Sequence, residues 1–113
     1  PPITLIVPPR DTTPPPAPSG LSPCGARSTP TYVAASPVNL TWYPVQDPSG
    51  ITQYKIVLTN IVTKQTNTYY TASTAYSAAI QIGTYAWQVS AQDGAGNWGA
   101  ASQACYFYYD VLK

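Results

Sequence analysis

At 113 residues the chain has room for one domain, and 44% of its positions are hydrophobic while only 8% are charged. Five Lys and Arg against four Asp give a net charge of +1, with no Glu, His or Met. The missing histidine removes the commonest general base and metal ligand, so no enzyme, catalytic residue or cofactor is expected; scattered cations exclude nucleic acid, and no apolar run approaches the ~20 residues of a membrane span.

Eight of the thirteen prolines lie within the first 18 residues, on both sides of the apolar stretch Ile3, Thr4, Leu5, Ile6 and Val7. Residues 1–19 therefore read as an arm, an apolar strand followed by a Pro-rich linker. Pro8 to Pro18 favours polyproline II, which at ~3.1 Å per residue extends ~34 Å and would carry Ile3 to Val7 clear of their own domain. A chain that starts at Pro1 and holds no Met is expected to be a processed product or an excised fragment.

Residues 20–113 alternate between short strand patterns and turn residues, with no sustained helical period. A first strand is expected near Leu21 to Cys24. Val38 to Tyr43 puts Val38, Leu40 and Trp42 on one face and ends at the Pro- and Gly-bearing loop of residues 44–50. Tyr54 to Leu58 turns Tyr54, Ile56 and Leu58 inward. The Thr-rich stretch from Lys64 to Thr71 suits an edge strand, and Tyr76 to Ile80 is a weaker one. Thr84 to Ala91 is the cleanest alternation, with Tyr85, Trp87, Val89 and Ala91 inward. Asp93 to Asn97 has the composition of a hairpin turn, and Ala101 to Tyr109 forms the last strand. Seven strands in this length predict an all-β sandwich.

Three stretches together resemble a fibronectin type III or related bacterial Ig-like domain: Leu40-Thr41-Trp42, Asp47 to Ile51 leading into Tyr54-Lys55-Ile56, and Gly83 to Asp93 running into Ala95-Gly96-Asn97. The resemblance covers residues 20 to 113. It implies a seven-stranded Ig-like (fibronectin type III-like) β-sandwich with an extended Pro-rich N-terminal arm, with Trp42 in the core and Tyr85 in a tyrosine corner; the spacing of Trp87 makes it a third core residue. Asp11 to Pro15 is similar to the linkers that join such domains in tandem on bacterial surfaces. No Arg-Gly-Asp stands in the last hairpin, so a cell-adhesion role is not carried over. Such sandwiches bring the first and last strands together, and with a secreted context this favours a disulfide between Cys24 and Cys105.

Among candidate sites, Asp11, Asp47 and Asp93 would gather at one pole, but three carboxylates are few for Ca²⁺, and Asp is in any case a turn residue, so no metal is expected. Trp98 follows the Gly-rich hairpin and is expected to be exposed, as a protein interface or, more weakly, a sugar platform. The run Tyr106, Phe107, Tyr108, Tyr109 presents aromatics to both faces of its strand, which marks Tyr106, Tyr108 and Tyr109 as interface candidates. Asn39-Leu40-Thr41 fits a glycosylation sequon within an expected strand, and Thr13-Pro14 and Thr29-Pro30 are candidates for O-linked sugars.

These residues favour one functional reading of an extracellular, cell-surface or secreted protein, the first below, with the second as its alternative. In the first, the chain is a structural subunit whose partners are other copies of itself: Ile3 to Val7 adds a donor strand to a neighbouring sandwich, and the head-to-tail contact builds a pilus-like filament. In the second, it is a spacer or binding module of a longer surface protein or secreted glycan-degrading enzyme, with carbohydrate binding through Trp98 and surface tyrosines as a further variant.

Overall fold

The computed structural model describes residues 13–110. Seven strands run through them: β1 (Thr31–Val33), β2 (Val38–Thr41), β3 (Ile51–Asn60), β4 (Thr66–Thr71), β5 (Ala75–Ala78), β6 (Gly83–Asp93) and β7 (Cys105–Tyr109). They form two sheets, a five-stranded one in the order β1-β7-β6-β3-β4 and a two-stranded one of β2 and β5. Every pairing is antiparallel except that of β1 with β7. No helix occurs among the described residues.

The core follows from the period of two. Side chains alternate across a strand, so Val38, Leu40 and the following Trp42 face Tyr54, Ile56 and Leu58 of β3 and Tyr85, Trp87, Val89 and Ala91 of β6, all buried. Phe107 and Cys105 of β7 complete the layer. Each large apolar side chain buried this way contributes about 1.5–3 kcal/mol. The ring of Trp42 meets that of Tyr54 edge-on at 5.3 Å and lies 6.1 Å from that of Trp87, and Tyr85 stacks on Phe107 at 5.3 Å. Trp87 Nε1 donates to the Pro23 carbonyl at 2.8 Å, whereas the buried Trp42 Nε1 has no partner among the described residues.

The segment read as a first strand, Leu21 to Cys24, is not one. Ser22 exchanges two backbone hydrogen bonds of 2.9 Å with Thr41, and Gly25 exchanges two with Tyr106, at 2.9 and 3.1 Å. Those partners belong to opposite sheets. Pro23 between them offers no N–H, so the ladder stops after one step and the chain crosses from the β2 sheet to the β7 sheet. The seventh strand is instead β1, three residues whose partner β7 lies more than seventy positions away. Smaller shifts occur elsewhere. Lys64 sits in the turn before β4 at φ 68°, β5 begins at Ala75, and residues 101–104 precede the β7 ladder. There Ser102 substitutes for a ladder step, its N–H donating to Val89 O at 2.8 Å and its Oγ accepting from Val89 N at 3.0 Å.

The end of the Pro-rich linker packs on its own domain. Pro15 and Pro18 are buried, three residues apart, the repeat of a polyproline II helix. Pro15 passes so close to Gly99 that a Cβ there would collide with the Pro15 carbonyl oxygen. The expected free spacer is thus, over residues 13–18, part of the packed body. Ile3 to Val7, Asp11 and the start of the linker lie outside the described residues.

Cys24 and Cys105 form a disulfide, with Cα atoms 4.5 Å apart across a sequence separation of 81. Closing a loop of that length limits the unfolded chain by up to about 4.5 kcal/mol in the chain-entropy account. The bond ties the crossing segment to the start of β7.

Candidate functional site: an aromatic patch on the outer sheet face

The alternation that buries Tyr54, Ile56 and Leu58 leaves Gln53, Lys55 and Val57 on the opposite, outer face of the five-stranded sheet. Tyr70 of β4 is the register partner of Lys55 and shares that face. Trp98 arrives from beyond β6, carried by a tightly clamped hairpin. The Asp93 carboxylate accepts from the N–H groups of Ala95 at 3.0 Å and Asn97 at 2.8 Å and from Asn97 Nδ2 at 3.0 Å. Gly99 N donates to Ala91 O at 2.9 Å, and Trp98 bridges to Gln92. Held from both sides, the Trp98 ring lies 5.3 Å from Lys55 Nζ and 6.2 Å from the Tyr70 ring, the two planes inclined at 59°. Trp98 is 37% exposed and Tyr70 55%. Beside them Gln53 Nε2 donates to Gln92 Oε1 at 2.9 Å.

A second aromatic group occupies the far end of the same face. Tyr32 of β1 lies 5.2 Å from the exposed Tyr108 of β7, and the half-buried Tyr106 projects on the same side. The four interface candidates therefore separate: Trp98 joins Lys55 and Tyr70 at one end, Tyr106 and Tyr108 stand at the other, and Tyr109, in phase with Phe107, turns toward the inner face. Trp42, Tyr85 and Trp87 are buried. The Tyr85 hydroxyl donates to Gln81 O at 2.8 Å and accepts from Gln81 N at 3.2 Å, closing the corner before β6.

Electrostatically the outer face is nearly bare. Lys55 is the only ionic side chain at an outward strand position among the described residues. Asp47 and Asp93 meet at one pole, where both fasten turns: Asp47 Oδ1 accepts from Ser49 N at 2.9 Å and Ser49 Oγ at 2.8 Å, and Gly94 N donates to Gly50 O at 3.0 Å and Ser49 Oγ at 3.1 Å. No group of three metal-ligand side chains assembles among the described residues. Asn39, in the sequon, is exposed on β2 and its Oδ1 accepts from Ser77 Oγ at 2.6 Å. At the inner rim Tyr69 stacks on Tyr76 at 4.7 Å, and burial, aided by the Tyr76 and Tyr85 hydroxyls, raises its pKa above 10.0.

Lys55, Tyr70, Gln53 and Gln92 carry no local signal. The signal that finds Tyr70 and Lys55 is register: once the turn after Asn60 aligns β3 with β4, the two become direct cross-strand neighbours.

Sheet order, the buried tryptophan after β2 and the Tyr85 corner define the class: the chain is a fibronectin type III-like β-sandwich domain. Its backbone is similar to that of the chicken CNTN1 FN1-FN3 domains, with a TM-score of 0.56 and 16% identity over 84% of this chain and 33% of that one. No family model matches the chain. In sequence it is 33% identical over 95 residues to Chitinase Chi52 of Paenibacillus xylanexedens, covering 84% of this chain and 16% of that protein. It is 39% identical over 100 residues to Chitinase A1 of Niallia circulans, covering 87% of this chain and 13% of that protein. The chain thus spans less than a fifth of the length of these relatives.

Proposed function

We propose that the chain is a non-catalytic, extracellular module of a longer glycan-degrading enzyme of the chitinase kind. The observation that carries this is the pair of chitinase relatives, matched along 84% and 87% of the chain but along only 16% and 13% of their own lengths. A module of that size repeats a fold, not an active centre.

The placement of Pro15 and Tyr109, near the two limits of the described residues, supports a spacing role. Pro15 lies beside Gly99, at the Asp93 end of β6, while Tyr109 pairs with Gly83 at the other end. Gly99 N bonds Ala91 O, so the span runs from Gly83 to Ala91, eight steps of β6 that at ~3.3 Å each set those ends roughly 26 Å apart. Neighbouring domains attached at the two ends would be held apart by the length of the sandwich. The filament reading rests on Ile3 to Val7, outside the described residues, and the relatives lend it no support.

The test is the size of the native polypeptide that carries this sequence, read by immunoblot and peptide mass spectrometry of the secreted fraction. A polypeptide several times longer than 113 residues that hydrolyses chitin is expected. A free chain of this length, as a monomer or as a ladder of polymers, overturns the module reading, and the ladder would restore the filament.

A further inference from the structure

We infer that Trp98 and Tyr70, with Lys55 and the Gln53–Gln92 pair beside them, form a docking patch for an uncharged, amide-bearing polysaccharide, chitin in the setting of the module reading on which this rests. Chemistry selects the occupant. One face of a pyranose ring presents polarised C–H groups that pack on an aromatic π-surface, while its hydroxyl and acetamido groups need hydrogen-bonding partners at the margin. Both halves are here: two exposed rings, and two side-chain amides, Gln53 Nε2 donating to Gln92 Oε1 at 2.9 Å and Gln92 Nε2 to Gly96 O at 3.3 Å, so that each amide keeps one N–H and acceptor capacity beyond these bonds. Lys55, the single cation at an outward strand position among the described residues, gives an acidic glycan or a phosphate backbone little to bind, whereas a neutral polymer asks for no counter-charge.

The patch is also built in advance. Bonds to Asp93 on one side and from Gly99 to Ala91 on the other fix the backbone around Trp98, and the Lys55 ammonium lies 5.3 Å from the centre of its ring. Little side-chain freedom remains to be lost on binding. The 59° inclination of the two rings makes an open corner, so a polymer lies across the rings and not between them. An insoluble surface can reach such a site.

The experiment is co-sedimentation of the 113-residue chain with crystalline chitin, with cellulose and an acidic polysaccharide as comparison solids. Wild type should leave the supernatant with chitin, and Trp98→Ala should weaken binding about tenfold or more, as loss of an anchoring aromatic does. Tyr70→Ala should weaken it several-fold, and Tyr108→Ala, at the far end of the same face, should leave it unchanged. Thermal unfolding of each variant confirms that the sandwich persists. Equal retention of wild type and Trp98→Ala overturns the proposal, as does absence of wild-type binding to chitin or stronger binding to the acidic polymer. The two readings fail separately: a free native chain that binds chitin through Trp98 sinks the module reading alone, and a chitinase module that ignores chitin sinks the patch alone.

Discussion

Trp87 and Trp98 stand on either side of the same hairpin and have opposite fates. Trp87 is fully enclosed, its ring beside that of Trp42 and its N–H bonded to Pro23 O, while Trp98 lies on the outer face over Lys55. Strand periodicity places the first. A clamped turn places the second. The comparison teaches that in this small sandwich aromatic residues occupy two separable places, one holding the sheets together and one furnishing a surface, and that substitutions should affect stability and the proposed binding independently.

The largest effect breaks the comparison directly. Trp87→Ala should cost about 3–5 kcal/mol of folding stability by chemical denaturation, whereas Trp98→Ala, at a side chain 37% exposed, should cost about 1–2 kcal/mol, its cation–π contact with Lys55 plus part of its apolar burial. Comparable losses would mean that Trp98 is part of the packing. A finer cut compares the two inner tryptophans. Trp87→Phe strands the Pro23 carbonyl, an added loss of about 1–3 kcal/mol that Trp42→Phe escapes because its Nε1 has no partner among the described residues to lose.

Gly99→Ala sharpens the outer side of the comparison. The new methyl must displace the Pro15 carbonyl, and overpacking of this kind costs about 1–3 kcal/mol. Since Pro15 belongs to the docked linker, the first sign should be faster proteolysis around residues 13–18, ahead of any change in global unfolding.

The smallest effect is a pH dependence at Tyr69. Its pKa is raised in the fold, so above pH 10.0 the unfolded chain sheds the proton while the folded one keeps it. Stability is unaffected by this group below 10 and falls as pH climbs from there through the folded value. Tyr69→Phe should flatten that fall in denaturation curves taken between pH 9 and about 11.

Much of the inner face was legible from alternation alone. Val38, Leu40, Trp42, Tyr54, Ile56, Leu58, Tyr85, Trp87 and Val89 are buried because one sheet face must be, and a period of two leaves no other phase. Two elements escaped for physical reasons. Thr31–Val33 is too short to show a pattern and pairs with a distant partner, and Leu21 to Cys24 looked like a strand until Pro23 divided its bonds between two sheets. The stiffness of the Pro-rich segment could be read from composition, but the side on which Pro15 and Pro18 settle depends on Gly99, over eighty positions away. The candidate patch was legible only through Trp98. Its companions come from β3, β4 and the end of β6, and only the folded register makes them neighbours.

The bond between Cys24 and Cys105 also decides how the domain responds to being pulled. Tension that arrives along the prolines passes at Cys24 straight into Cys105 and out through β7, so the stretch between the two cysteines, a separation of 81, carries none of it. Pulled at both ends, the sandwich would lengthen only by what the segments outside Cys24 and Cys105 release, while the body they enclose stays folded.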